Sequence, residues 1–343
     1  MPASGVANST LVTGGLGFVG AWLCRELLGR GHRVVSLDRA AREGRPSALA
    51  LLGIDGEVTE VEGDLLDAEL LRRTLASHQV SAVFHLAAQT IVGTAASSPA
   101  PTFEANVRGT WTLLEACREH RVERVVVASS DKAYGAHDEL PYREDFALRP
   151  TAPYESSKAA ADLIARSYWP SYGLPVAVTR FANIYGGGDT NFSRLIPEAV
   201  SAALDGRPPV LRSDGSPERD FLYVEDAAGA YVAIADALDR DEVRGEAFNA
   251  GGGRPHPVGE VVELIARLAG TGVEPDVRGA GNPAGEIDRQ YVDPAKIREL
   301  VGWEPRVDLE EGLRRTIEWY RAHPEARAPA LGEAGRARQD SNL

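Results

Sequence analysis

Tyr154 and Lys158 stand four residues apart in a stretch with helical spacing, opened by Pro153 and running to Tyr168. That spacing puts both side chains on one helix face. A tyrosine with a pKa of about 10 is a poor base at neutral pH, but a nearby ammonium stabilises its phenolate. Such a pair takes the proton of an alcohol during its oxidation and returns it during ketone reduction. A second constellation is Ser130-Asp131-Lys132, at the end of the apolar run Arg124–Ala128. A carboxylic acid beside another ionisable group is what loss of water requires. Asp131 can protonate a leaving hydroxyl, and Lys132 can take a proton from carbon once desolvation depresses its pKa.

A redox pair of this kind needs a hydride carrier. In Thr13-Gly14-Gly15-Leu16-Gly17-Phe18-Val19-Gly20 the glycines at 14, 17 and 20 follow a short apolar strand and open a helix. They permit a tight turn, close approach of backbone to a pyrophosphate, and close helix–sheet packing. The helix start at Phe18 and Val19 then offers N–H groups and a positive dipole to the phosphates. Asp38 lies 24 residues past Gly14. A carboxylate there accepts from both ribose hydroxyls and repels a 2′-phosphate, which favours NAD over NADP even with Arg39 next door. Asp64 and Leu65 are expected at the adenine. Leu86, Ala87 and Ala88 leave room for the dinucleotide backbone.

The elements that must hold these residues alternate. Strands are expected at Thr10–Thr13, Arg33–Leu37, Val58–Glu62, Ala82–Leu86, Arg124–Ala128 and Val176–Arg180. Helices are expected over Phe18–Leu28, Asp67–Leu75, about Pro101 to Glu119, and Pro153–Tyr168. Continuously apolar strands alternating with helices argue for an α/β, doubly wound parallel sheet covered on both faces, a Rossmann architecture. This NAD-binding domain is expected over residues 1–185. Gly186–Gly188 reads as a flexible junction to a smaller mixed α/β substrate domain, 186–325. Within it 219–250 is expected to return to the main sheet. Residues 326–343, rich in Ala, Gly, Arg and Glu without periodicity, read as a disordered tail.

The bulk numbers narrow the partners. With 37 basic and 50 acidic residues in 343 the formal charge is −13, which disfavours nucleic acid and anionic membrane surfaces. No run reaches the ~18 apolar residues of a membrane span. Residues 1–9 lack the basic start and apolar run of a signal peptide. Cys24 and Cys117 sit among apolar neighbours and read as buried free thiols, so a reducing cytoplasm is expected. No Cys/His cluster has the spacing of a metal site.

TGGLGFVG, HLAAQ, the serines after the fifth strand, YESSK and RFANIYG together resemble the extended short-chain dehydrogenase/reductase family, and within it the nucleotide-sugar epimerases and dehydratases. The resemblance covers about residues 8–322. It implies that Ser130 hydrogen-bonds the reacting sugar oxygen, and that Gln89, Asn183, Arg219 and Arg289 contact the nucleotide-sugar. It also implies a homodimer, through the Pro101–Glu119 and Pro153–Tyr168 helices. Val107–Thr110, after Asn106, matches a structural element of the family. Two reactions share all of this. A 4-epimerase needs only Tyr154, Lys158, Ser130 and NAD. A 4,6-dehydratase also needs an acid and a base, and Asp131-Lys132 tips the reading towards it. SSDKAYG resembles the Asp-Lys form of CDP-glucose 4,6-dehydratases, whereas the dTDP-glucose enzymes carry Asp-Glu and epimerases carry small residues. RDFLYV departs from the CDP-glucose subgroup. A non-catalytic NAD-binding regulator and a simple carbonyl reductase are the readings from other classes. The intact Tyr–Lys pair opposes the first, and Asn183 with Arg219 opposes the second.

Overall fold

The computed structural model describes residues 9–40, 46–281 and 287–327. By compactness the chain divides into two units. One gathers the described residues as far as Ile184 with Glu218–His256 and Ile287–Leu309; the other gathers Tyr185–Pro217, the stretch from Pro257, and the stretch from Glu310.

The larger unit is built on seven strands: β1 (Ser9–Thr13), β2 (Arg33–Asp38), β3 (Thr59–Glu62), β4 (Val80–His85), β5 (Arg124–Ala128), β6 (Val176–Phe181) and β7 (Ala247–Ala250). Their order is β7-β6-β5-β4-β1-β2-β3, and every neighbouring pair is parallel. Both faces are covered, so β1 and β6 are buried at every position. That explains why these strands are apolar runs rather than alternating ones. Strand order reverses between β1 and β4, and ligands of such sheets bind where the carboxyl ends part.

Helices α1 (Phe18–Gly29), α2 (Ala68–Ser77), α3 (Gly109–Glu119) and α4 (Pro153–Tyr172) belong to this unit. The expected long helix ending at Glu119 is three pieces in sequence: Pro99–Phe103, a π turn at Glu104–Arg108, and α3. α4 starts with Pro153, whose missing N–H costs nothing at the first turn, while the Glu155 carboxylate accepts the N–H groups of Thr151 and Ala152. It runs past Tyr168 to Tyr172 and stops at Gly173, which has φ +70°. A left-handed glycine is a common way to end a helix.

Of the segment expected to return, Ala247–Ala250 does join the main sheet, parallel to β6. The short strand Phe221–Tyr223 instead pairs with Asn183–Tyr185 off that sheet, and the helix after it (Val224–Asp236) packs in the main apolar core through Tyr231, Ile234 and Ala235. Residues 287–309, read from sequence as part of the smaller domain, cluster with the larger unit. Their anchors explain it: Arg289–Gln290 pairs with Glu218–Arg219, and Asp226 accepts the N–H groups of Arg306 and Val307.

In the smaller unit the helices Leu195–Leu204 and Val258–Ala269 pack together, and Val210–Leu211 pairs with Asp276–Val277. Within Gly186–Gly188 the middle position is tightly packed: a Cβ on Gly187 would overlap the Trp319 side chain. The tail expected from 326 lies, beyond Arg327, outside the described residues. Cys24 and Cys117 are buried free thiols. Among the described residues no helix is long and apolar enough to cross a membrane.

Candidate active site

The glycine turn leaves β1 at the strand-order reversal. Gly14 has φ +81°, and a Cβ there would lie 2.7 Å from the backbone nitrogen of Ala87. A Cβ on Gly20 would overlap the Gly14 carbonyl oxygen. Glycine is thus required twice, once for conformation and once for the close approach of α1 to the turn. Gly17 is the N-cap of α1, and no side chain caps the helix start. The N–H groups there face no competing side-chain acceptor, which suits a phosphate. Asp38 ends β2 with one oxygen accepting from the Leu16 N–H (3.2 Å) and the other from the Arg39 N–H (2.9 Å). Each oxygen keeps acceptor capacity for a ribose hydroxyl. Burial pushes its carboxyl above the usual range, and those N–H groups oppose the shift. Across the crevice the Leu86 and Ala87 N–H groups donate to the Thr13 carbonyl and hydroxyl. The residues present therefore form a glycine-lined cradle with an acidic far wall, which fits a dinucleotide.

Tyr154 and Lys158 lie on the first turns of α4, 8% and 5% exposed. Lys158 Nζ donates to the Ala128 carbonyl at the end of β5 (2.8 Å). Burial lowers its pKa to about 8, and the charge of Asp162 opposes the shift. It remains an ammonium at neutral pH, able to stabilise a phenolate beside it. Asp162 sits one turn further along α4 and forms a buried bidentate pair with Arg180 of β6. The Asn106 side chain fixes the other flank of α4. Its amide nitrogen donates to Ser157 Oγ and the Gln89 carbonyl, and its oxygen accepts from the Gln89 N–H. Asn106 lies in the π turn, a feature that re-aims side chains at functional sites.

Beyond β5, Ser130 caps a short 3-10 turn, Asp131–Tyr134. Ser130 Oγ donates to Asp131 Oδ1 (3.1 Å) and accepts from the Lys132 N–H (3.2 Å). Asp131 is 3% exposed. Burial raises its pKa, while the Lys132 cation, the Ser130 hydroxyl and the Arg219 cation pull it back. Lys132 is half-buried. Asn183 donates through both its N–H and its side-chain amide to the Asp220 carbonyl, beside the half-buried Arg219.

Some expected residues also make contacts within the fold. Gln89 spends its side chain on Ile91 and Thr102. The Asp64 carboxylate accepts the Leu66 N–H at 2.9 Å, and the Leu65 side chain is part of the apolar core. Arg289 is exposed and ion-paired with Glu218. Sequence reasoning passed over Asp220, although it stands next to Arg219 in ERDFLYVED. A carboxylate between an arginine and an apolar run was the signal. His85 was passed over too, held between the hydroxyls of Thr13 (2.8 Å) and Thr110 (2.9 Å).

The parallel sheet, the glycine cradle at its reversal and the tyrosine–lysine pair define a Rossmann-type redox protein. The chain belongs to the NAD dependent epimerase/dehydratase family, which it matches over residues 10–251, and NAD is its cofactor. It is 34% identical to the dTDP-glucose 4,6-dehydratase of Xanthomonas campestris pv. campestris (strain B100), over 90% of this chain and 92% of that protein. Among solved structures it is similar to the dTDP-glucose 4,6-dehydratase of Streptomyces venezuelae crystallised with NAD. There the TM-score is 0.83 and the identity 33%, over 94% of this chain and 99% of that one. It is also similar to the UDP-glucose 4-epimerase of Thermotoga maritima, with TM-score 0.83 and 29% identity, over 92% and 99% of the two chains.

Proposed function

We propose that the chain is a nucleoside-diphosphate-hexose 4,6-dehydratase. The observation that carries this reading is Asp131, a buried carboxyl with a raised pKa beside Lys132, at the carboxyl end of the strand whose last carbonyl holds Lys158. An epimerase has no use for a second acid.

Gly14, Gly17, Phe18 and Val19 hold the pyrophosphate, Asp38 the ribose, Asp64 and Leu65 the adenine, and Leu86, Ala87 and Ala88 line the dinucleotide backbone. NAD, when bound, supplies the acceptor for the hydride leaving C4 of the hexose and the donor for its return at C6. Tyr154 takes the proton of the C4 hydroxyl, with Lys158 stabilising its phenolate and Ser130 hydrogen-bonded to the C4 oxygen. The C4 carbonyl acidifies the C5 hydrogen, which Lys132 removes. Asp131 protonates the C6 hydroxyl as the C6–O bond breaks, and water leaves. Lys132 then gives its proton back to C5. Gln89, Asn183, Arg219 and Arg289 hold the nucleotide-sugar. The two proteins of the same fold that carry these activities make the 4-epimerase the second reading. Incubation with a panel of nucleotide-hexoses, read by mass, separates them. Loss of one water is expected, and unchanged mass with inverted C4 overturns the dehydratase reading.

The assembly we infer is a cytoplasmic homodimer. Its support is the exposed apolar set Phe103, Trp111, Leu163 and Tyr172 on the helical stretch before Glu119 and on α4, since large apolar side chains grouped at a surface mark contact sites. Two free buried thiols suit a reducing compartment.

A further inference from the structure

Arg180 stands in β6, a strand buried at every position, and is itself 1% exposed. Four of its five N–H groups find acceptors in the interior. Nε and Nη2 grip the Asp162 carboxylate at 2.8 and 2.9 Å. Nη1 donates to the Tyr134 hydroxyl at 3.1 Å and to the Glu144 carbonyl at 3.2 Å. The guanidinium also lies 4.9 Å from the centre of the Tyr134 ring. Asp162 and Tyr134 are both 0% exposed, so water does not screen these contacts.

Stability is a poor reason for such a cluster. Desolvating an ion pair costs about as much as its attraction returns, and apolar side chains of similar volume often hold a core as well. What apolar side chains lack is direction. A guanidinium is a rigid planar fork that fixes the carboxylate and hydroxyl it binds relative to each other.

The two groups it grips lead to the two halves of the chemistry. Asp162 is four residues past Lys158 on α4, and positions four apart share a helix face. Tyr134 closes the 3-10 turn that begins with Asp131. Side chains three apart eclipse in such a turn, so Asp131 and Tyr134 leave it on the same side. Tyr134 ties that turn to the sheet. Its hydroxyl accepts from Arg180 of β6 and donates to Asn249 Oδ1 of β7 at 2.7 Å. Asn249 is itself fixed, donating through its side chain to the Tyr142 carbonyl and through its N–H to the Glu144 carboxylate, both at 2.8 Å.

We propose that Arg180 is a positioning residue for the reaction: by gripping Asp162 and Tyr134 at once, it locks the helix that carries Tyr154 and Lys158 to the turn that carries Asp131 and Lys132. This rests on the reading of that turn as the acid and base of the elimination. Oxidation at C4 and water loss across C5 and C6 act on neighbouring carbons of one sugar, so the two sets of groups must keep a fixed spacing through both steps. A displacement of about 1 Å costs up to about 100-fold in rate.

Tyr134→Phe keeps the ring and removes the hydroxyl. The turn then loses Arg180 and Asn249, while the grip on α4 through Asp162 stays. C4 oxidation, read as reduction of the bound cofactor on mixing with the nucleotide-hexose, is expected to stay within about twofold of wild type. Water loss, read by mass, is expected to fall about tenfold, so that reduced cofactor accumulates. A merely structural role would lower the unfolding midpoint and leave the ratio of the two rates unchanged. An unchanged ratio overturns the proposal, whether both steps run at the wild-type rate or slow together. Arg180→Lys keeps the charge, but a single ammonium lacks the fork that serves both partners. Both steps are expected to slow about tenfold, with KM for the nucleotide-hexose within about twofold; wild-type rates in this variant also overturn the proposal. Should Arg180→Lys not fold, Tyr134→Phe, which loses one hydroxyl, decides alone. Asp131→Asn separates the lock from the reading beneath it. If Asp131→Asn blocks water loss while Tyr134→Phe keeps the wild-type ratio, only the lock fails. If Asp131→Asn eliminates water normally, the reading of the turn fails and the lock with it.

Discussion

Tyr154 and Asp131 are assigned to different halves of one reaction, so their substitutions should fail differently. Tyr154→Phe removes the proton acceptor of the first step. C4 oxidation is expected to fall by about 10²–10⁴, the range for loss of a positioned acid or base, and the bound cofactor should no longer be reduced when substrate is added. Asp131→Asn leaves that step intact. Reduced cofactor should build up while water loss drops by a similar factor, seen by mixing with nucleotide-hexose and following absorbance and product mass together. If Asp131→Asn makes product at the wild-type rate, the dehydratase reading is wrong. Tyr154, Lys158, Ser130 and Asp131 could be proposed from sequence because short-range spacing on one helix, or at one strand end, fixes which side chains can meet. The buried carboxyl of Asp220 could not, because its contacts at Gly252 and Gln290 lie far away in sequence and only the fold brings them together. At Gln89 and Asp64 local turns also take part of the side chain's polar capacity, at Ile91 and at the Leu66 N–H.

At the scale of elements the turn between β1 and α1 carries the most constraint. Gly20→Ala places a methyl against the Gly14 carbonyl oxygen, so α1 must move away from the turn. Overpacking of this kind costs about 1–3 kcal/mol. The expected outcome is a lower unfolding midpoint together with weakened NAD binding, measured by denaturation with and without added NAD. Equal loss of midpoint in both conditions would mean that the helix start does not hold the cofactor. Most element positions followed from local pattern: apolar runs of strand length, helical spacing, glycines at the ends. Three features did not. The π turn at Glu104–Arg108 is invisible to a 3.6-residue period because one inserted residue shifts the face without ending the helix. Phe221–Tyr223 has the composition of a core strand, yet it pairs with Asn183–Tyr185, since pairing partners are set by long-range topology. Gly187 reads as flexible because glycine does, but the smaller unit uses its missing side chain to admit Trp319.

At the scale of the whole molecule, assembly and acid response can both be tested. Leu163 is 58% exposed, and Leu163→Glu on the proposed dimer face should yield monomers by sedimentation with the fold unchanged; dimers that persist place the interface elsewhere. The acid response sets two buried groups against each other. His85 is held neutral, its pKa lowered from 6.5 to about 3 by burial first and by the Lys158 charge second. A folded-state pKa below the unfolded one gives stability that is present above 6.5 and lost as pH falls, by linkage about 2 kcal/mol between pH 6.5 and about pH 5. Asp220 has the opposite sign. Its folded pKa, about 7 against 3.8 unfolded, gives stability that is complete below 3.8 and lost as pH rises through 7, so acidification from about pH 7 to about pH 5 regains roughly 2–3 kcal/mol. In wild type the two contributions largely cancel across this window, and the variants pull them apart. Between those two pH values, His85→Gln should gain about 2 kcal/mol of stability relative to wild type, while Asp220→Asn should lose a similar amount. The measurement is urea unfolding of all three proteins at both values, each variant compared with wild type at the same pH. Differences that do not change with pH would mean that neither buried group titrates as its surroundings require.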